Sequence, residues 1–173
     1  VLVAVTGTPG TGKSSTCEVL ARRGYPVVDL DEVARREGFL LGRDERRGSD
    51  EVDVDALRRN LSVPAKIAFL KSHYSHLMDV NLVIVLRCRP SVLRKRLEGR
   101  GWPEAKVREN VEAEAIDVIL QEAVNRLPRV CEIDTTALSP EQTAAEILAI
   151  LQGRTEGHEP GSVDWTEEVL SWY

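Results

Sequence analysis

No two cysteines in this sequence lie close enough to form a framework: Cys17, Cys88 and Cys131 are odd in number and far apart. Neither a disulfide set nor a metal-ligand spacing follows from them, so a reducing compartment and a core position for each are expected. Long apolar runs are missing as well. None approaches the roughly 20 residues of a membrane span, and no membrane contact is expected. The charged, apolar and small residues of a secretory leader do not occur in order, because Val1-Leu2-Val3-Ala4-Val5 runs directly into the turn at Gly7. A cytoplasmic protein is expected. Positive charge is not in excess either, and the formal net charge of -5 argues against a surface wrapped generally in nucleic acid. One stretch could form a local basic patch for RNA: Arg87, Arg89, Arg94, Lys95, Arg96, Arg100, Lys106 and Arg108. It reads equally as phosphate contacts or as a solvated helix face. There is no internal repeat, and no Asn-Lys-x-Asp segment to read guanine.

What is present suits one compact domain with a full core: 173 residues, 42% of them apolar. Val1 to Thr6 reads as a strand buried on both faces, and a helical pattern runs from Lys13 to Arg22. A second strand covers Val27 to Leu30. A helix over Asp31 to Glu37 follows, with Asp31 as its cap and Gly38 as its stop. Leu41 to Glu51 is too polar for core and reads as an excursion from the sheet. Asp53 to Asn60 has helical spacing, and Lys66 to Leu70 and Leu82 to Leu86 are further strands. Pro90 starts a helix that ends at Gly99, and Gly101-Trp102-Pro103 breaks the chain. The longest periodic segment, Pro103 to Arg126, reads as one amphipathic helix. Val130 to Ile133 is the last strand, and Ser139, Pro140 and Gln142 form a boxed helix start. That helix is expected to end near Gln152, with a linker and an aromatic-tipped tail over 154–173. Strands alternating with helices predict a three-layer α/β fold around a parallel sheet of about five strands.

Between the first strand and first helix stands Gly7-Thr8-Pro9-Gly10-Thr11-Gly12-Lys13-Ser14, the pattern of a phosphate-binding loop in its proper setting. A triphosphate needs many donors at short range. Glycines let the backbone wrap it, and helix-start amides point inward. The expected nucleotide contacts are Gly10, Thr11, Gly12, Lys13, Ser14 and Ser15. Lys13 reaches the β- and γ-phosphates as a point charge, and the Ser14 hydroxyl holds Mg²⁺. Asp31, Glu32 and Arg35 share a helical face beyond a strand end, where ligands of parallel sheets gather. Arg35 could bind the phosphate of an acceptor nucleotide or serve the surface. After the last strand, near Thr135 and Thr136, backbone groups can read a base edge.

These residues carry a resemblance. The chain resembles the adenylate kinase 6 family, small P-loop nucleoside monophosphate kinases also known as coilin-interacting nuclear ATPases, and especially its archaeal members. Beyond the glycine loop, the matching pieces are Asp31 to Glu37, Ser72-His73-Tyr74-Ser75-His76, Arg96 to Trp102, Glu109 to Glu114 and Ile133 to Thr136. The resemblance implies an adenylate-kinase-like domain over 1–153, with a monophosphate-binding region over 31–60 and a short lid at 99–105. It implies ATP and Mg²⁺ as cofactors and transfer of phosphate from ATP to AMP with broad acceptor tolerance. Glu32 and Arg35 would face the acceptor, and Arg96 and Arg100 would be lid arginines. It also implies ATPase activity and a role in small ribosomal subunit maturation, with a small-subunit ribosomal protein and immature rRNA as partners. An assembly ATPase with little kinase turnover, or a kinase of another small acceptor, are the alternatives. His73 is a catalytic candidate or a structural histidine. In the family, an Asp-x-His arrangement ends the strand before it, and the acid helps organise Mg²⁺. Here Lys71 takes the place of that acid, which either leaves metal placement to Ser14 with phosphates and waters, or to Asp29 or Asp31, or lowers the phosphotransfer rate and leaves a nucleotide switch.

Overall fold

Alternating aliphatic residues on the central strands bury both of their faces, and this alternation organises the whole molecule. The computed structural model describes residues 1–173. Its elements are β1 (Leu2–Thr6), α1 (Lys13–Arg22), β2 (Val27–Asp29), α2 (Leu30–Glu37), β3 (Leu40–Asp44), β4 (Ser49–Val52), α3 (Val54–Asn60) and β5 (Ala68–Lys71). A 3-10 turn at Ser75–Leu77 precedes β6 (Leu82–Arg87), α4 (Pro90–Gly99), α5 (Glu104–Ala115), α6 (Val118–Arg126), β7 (Val130–Asp134), α7 (Pro140–Leu151) and α8 (Thr166–Leu170). Five strands form one sheet in the order β2-β5-β1-β6-β7, and every pairing is parallel.

Val3, Val5, Ile84 and Leu86 point to one face, where Cys17 and Leu20 of α1 and Ala144, Ile147 and Ile150 of α7 cover them. Ala4, Val83 and Val85 point to the other, against Leu30, Leu57, Leu120 and Ala123. Each large aliphatic side chain so buried contributes about 1.5–3 kcal/mol. A smaller cluster, Cys88, Leu93, Leu97, Val107 and Val111, joins α4 to α5. All three cysteines are free and buried. Burial pushes the Cys17 thiol up to about 12 and the Cys88 thiol up to about 11, which makes them inert core residues.

Three local readings of the sequence are corrected, and a fourth, the polar excursion, is given its form. The segment 103–126 is two helices, because Asp117 adopts a left-handed conformation, φ 59°, between α5 and α6. The buried Arg87 side chain explains the break: its Nη2 donates to both the Glu114 carbonyl, at 3.2 Å, and the Asp117 carboxylate. The cap of α2 is Asp29, which accepts from the amides of Asp31 and Glu32, so the helix starts one residue earlier than expected. The polar excursion is an antiparallel hairpin, β3 with β4, whose turn is closed by Asp44 accepting from the amides of Arg46 and Arg47. The strand expected from Lys66 begins at Ala68 and extends through Lys71.

Residues 154–173 return to the main body. The Glu132 amide donates to the His158 carbonyl at 2.8 Å, and the Val163 amide donates to Glu132 Oε1 at 2.5 Å, so this segment lines the outer edge of β7. Trp165 is buried, whereas Trp172 and Tyr173 are exposed. No helix is long and apolar enough to cross a membrane.

Candidate active site

The loop between β1 and α1 sits at the C-terminal ends of the parallel strands, and its shape depends on glycine where the backbone is crowded or left-handed. A Cβ on Gly7 would lie 2.5 Å from the Leu86 carbonyl oxygen, so no larger residue fits beside β6. Gly12 caps α1 at φ 100°, and a Cβ there would meet nothing nearer than 3.9 Å. Crowding does not demand glycine at Gly12; the left-handed backbone does. The loop is braced from beneath. Thr8 Oγ1 donates to Glu114 Oε2 at 2.8 Å, and Thr11 Oγ1 donates to the Thr8 carbonyl at 2.8 Å. Thr135 Oγ1 lies 2.7 Å from the Thr11 carbonyl and 2.9 Å from that of Arg87.

Lys13 Nζ folds back on the loop, donating to the carbonyls of Gly7 at 2.6 Å and Thr8 at 3.0 Å. Desolvation, with the Arg100 charge adding to it, lowers its pKa to about 7. An ammonium held so poorly is electrostatically prepared for an anion. Arg96 is engaged too: Nη1 donates to the Gly10 carbonyl at 3.1 Å, and Nη2 lies 3.4 Å from the carbonyls of Thr135 and Thr136. Arg100 is exposed beside it in the connection from α4 to α5.

Three hollows meet along this edge. One of about 240 Å³ lies between Lys13, Ser14, Asp29, Lys71, His73 and Arg100. A second, of about 330 Å³, shares Gly10, Gly12, Ser15 and Arg100 with it and extends past Arg96 and Thr135 to Leu138 and Thr143. The third, of about 440 Å³, shares Asp31 and His73 with the first and reaches Arg35, Arg47, Tyr74 and the β3–β4 hairpin. Thus Gly10, Thr11, Gly12, Lys13, Ser14, Ser15, His73, Arg96, Arg100, Thr135 and Arg35 all border one trough. Glu32 and Thr136 do not. Glu32 is exposed on α2, and Thr136 Oγ1 accepts from the Arg89 amide at 2.9 Å while donating to Asp134.

His73 stands at the junction of two hollows with its ring edge-on to Tyr74. Desolvation and the Lys13 charge lower its pKa, which favours the neutral ring, and the residue is exposed to solvent. His76, by contrast, is a core histidine: Nδ1 is 3.0 Å from Thr6 Oγ1 and Nε2 is 2.8 Å from Glu122 Oε2. Lys71 Nζ makes a 2.8 Å ion pair with Asp29 Oδ2 and lies 3.5 Å from Ser14 Oγ. Burial opposes ionisation of Asp29, but Lys71 and the amides of Glu32 and Asp31 outweigh it and hold the carboxyl below its ordinary range. No three His, Cys, Asp or Glu side chains converge as a metal site. The oxygens that the phosphate-side hollow offers to a divalent ion carried by a nucleotide are the Ser14 hydroxyl and the Asp29 and Asp31 carboxylates.

Sequence comparison places this chain in a family. A model described as "AAA domain" matches residues 3–117. A protein of Archaeoglobus fulgidus named "Putative adenylate kinase" is 44% identical, covering 98% of this chain and 94% of its own. One of the same name from Natronomonas pharaonis is 46% identical, over 96% of this chain and 99% of its own. The chain belongs to this archaeal adenylate kinase family. Among solved structures, shikimate kinase from Acinetobacter baumannii superposes with a TM-score of 0.62 at 16% identity, covering 90% of this chain and 95% of its own. A gluconokinase from Sinorhizobium meliloti gives 0.57 at 22%, over 90% and 93%. These two likenesses show a shared P-loop kinase fold. Membership of the adenylate kinase family supports, in general terms, a nucleotide-dependent phosphotransferase or ATPase activity.

Within this family member, the basic stretch 87–108 is not one patch. Arg87 is buried among Glu114, Asp117 and Glu132; Arg94 pairs with Glu98 and Glu104, and Arg108 with Glu112. Sequence reasoning assigned no role to Glu114, Tyr74, Arg47 or Trp102. Tyr74 donates its hydroxyl to Asp31 Oδ1 at 2.8 Å, which orients Asp31 toward the trough. Trp102 closes the phosphate-side hollow, with Lys106 Nζ 3.9 Å from its ring centroid.

Proposed function

We propose that this chain transfers the γ-phosphate of ATP to the phosphate of AMP, tolerates other nucleoside monophosphates, and hydrolyses ATP as a side reaction. The observation that carries the reading is that the three hollows adjoin through shared walls, which would seat two nucleotides end to end with their phosphates meeting beside Lys13 and His73. In it, the ATP base lies by Thr135, with Thr136 at the rim, and the triphosphate lies along Gly10, Thr11, Gly12, Ser14 and Ser15. Mg²⁺ comes with ATP and supplies charge neutralisation, with the Ser14 hydroxyl as its protein ligand. The acceptor phosphate faces Arg35 and Arg47, with Glu32 at the edge of a monophosphate region over 31–60. An acceptor oxygen attacks the γ-phosphorus, the bond to the bridging oxygen breaks, and ADP leaves carrying that electron pair. The acceptor is already anionic, so no base is needed. His73 positions the incoming group as a neutral hydrogen-bonding side chain. Arg96 and Arg100, with a lid at 99–105, meet charge on the transferring phosphoryl group.

A coupled assay of ADP formation with and without AMP tests the reading, and ADP derived from labelled AMP is the expected result. A rate untouched by AMP, with no label in ADP, would end it. Arg35→Ala is expected to raise KM for AMP about 10-fold while leaving KM for ATP unchanged, since one phosphate contact is worth about 1.5–3 kcal/mol. An equal change in both would remove Arg35 from the acceptor site.

Lys13 gives a second test. Triphosphate beside it raises its pKa from about 7. Binding at pH 8 therefore draws in a proton, about one per nucleotide, whereas at pH 6 the lysine already holds it. Calorimetric binding enthalpies at pH 8 are expected to differ between buffers of high and low ionisation enthalpy. Equal enthalpies would show that Lys13 already carries its proton at pH 8 before the nucleotide arrives.

A second reading is supported by the tail: a cytoplasmic ATPase whose cycle times release of a small-subunit ribosomal protein or immature small-subunit RNA. Exposed Trp172 and Tyr173 border a hollow of about 600 Å³ with Lys95 and with Arg94 and Arg108, which pair there with Glu98 and Glu112, an aromatic-edged surface of mixed charge that a partner could use. Pull-downs with nucleotide-free and ATP-loaded protein test it, and recovery of no ribosomal component in either state would count against it.

A further inference from the structure

The Lys71 ammonium lies between the Ser14 hydroxyl, at 3.5 Å, and the Asp29 carboxylate, at 2.8 Å, inside the phosphate-side hollow. Those two oxygens are where a cation bound beside a triphosphate would find its protein donors. We propose that Lys71 is a resident cation of this site and that it frees triphosphate binding from dependence on a divalent ion. The inference rests on the P-loop reading above and deepens it.

The argument is electrostatic. A triphosphate entering between Lys13 and Asp29 would meet the Asp29 carboxylate at short range, and two like charges a few ångströms apart in a partly buried cleft repel strongly. Ordinarily a divalent ion relieves such repulsion by binding both partners. Here Asp29 is already neutralised by a covalently attached ammonium, whose side chain is only 21% exposed and is therefore little screened. An ammonium has three donors. One is used on Asp29, and Ser14 stands at the limit of hydrogen bonding, so donor capacity remains for a phosphate oxygen. Lys71 is fixed by its place at the end of β5, where it is in register with Val5 of β1 and Asp29 of β2. It is a positioning and specificity residue for the triphosphate, distinct from Lys13, which approaches from the loop.

The test is the affinity of a non-hydrolysable ATP analogue, adenylyl imidodiphosphate, measured by titration calorimetry in excess Mg²⁺ and again in excess EDTA. For the parent protein the two dissociation constants are expected to agree within about 3-fold. Lys71→Arg keeps that behaviour. Lys71→Asp weakens binding in EDTA by roughly 10-fold or more and recovers most of it with Mg²⁺, since one charge reversal at this range is worth more than the 1.4 kcal/mol of a tenfold change. A parent protein that loses 10-fold or more on EDTA overturns the inference without any variant being needed, as does a Lys71→Asp protein, folded by circular dichroism, that binds the metal-free analogue as well as the parent does. Binding by the parent only with Mg²⁺ removes the role of Lys71 and leaves the P-loop reading intact. Binding under neither condition removes both.

Discussion

Replacing Lys13 with alanine is expected to lower triphosphate turnover by on the order of 10³-fold, the scale seen when one preorganised donor to developing charge is lost. The loss should fall in kcat as well as in affinity, because charge on the transferring phosphoryl group grows beyond that of bound ATP. Stability should not follow. In the nucleotide-free protein, Lys13 binds its proton less tightly than in the unfolded chain, with a pKa of about 7 against 10.5. The unfolded state therefore holds more protons between those values. The charged lysine costs stability below pH 7, and the cost fades as pH rises toward 10.5. At pH 6, Lys13→Ala should melt no lower than the parent, even though two hydrogen bonds to the loop carbonyls are gone. Steady-state kinetics and thermal melts at pH 6 and 9 check both halves. Near-normal turnover would remove Lys13 from the chemistry, and a melting point well below the parent's at pH 6 would make its role structural.

Much of the fold was readable because the pattern and its cause coincide in single residues. Val1 to Val5 has no polar residue because β1 is central and covered on both faces, and Ser139, Pro140 and Gln142 close the box they spell. The glycine loop was readable for the same reason, since Gly7 has no room for a side chain and Gly12 has a backbone that side chains avoid. The hairpin β3–β4 was not readable, because almost every residue in it is exposed and no alternation survives when neither face is buried. The break at Asp117 was hidden because a tertiary contact with Arg87, thirty residues away in sequence, overrides an unbroken helical pattern. Glu114 did carry a signal. It falls three residues after Val111, on the buried face of α5, and an acid there needs a buried partner. In the trough, residue types could be expected but not which of them meet. The pairing of Lys71 with Asp29, and of Tyr74 with Asp31, joins strands and helices that only the sheet order brings together.

The same logic gives Arg87 the largest expected effect on stability. Arg87 is 1% exposed and lies between two buried carboxylates, Glu114 and Glu132, with Asp117 at the margin. Its Nε donates to Glu114 Oε1 at 2.8 Å and its Nη1 to Glu132 Oε2 at 3.3 Å, while its Nη2 is shared by the Glu114 carbonyl and Asp117. Only a planar guanidinium fills four acceptors in that layout. Arg87→Ala removes the cation and leaves the acids buried without it, a change that costs about 3–5 kcal/mol. Arg87→Lys keeps the charge but cannot reach all the acceptors, and should fall between the two. Urea unfolding at pH 7 measures both. The damage should reach the nucleotide loop as well, because Glu114 holds Thr8 through its second oxygen and Trp165 through its first. Arg87→Ala, assayed at a temperature where it remains folded, should therefore bind ATP more weakly than the parent. A loss below about 1 kcal/mol, typical of an exposed pair, would show that this cluster does not anchor the loop.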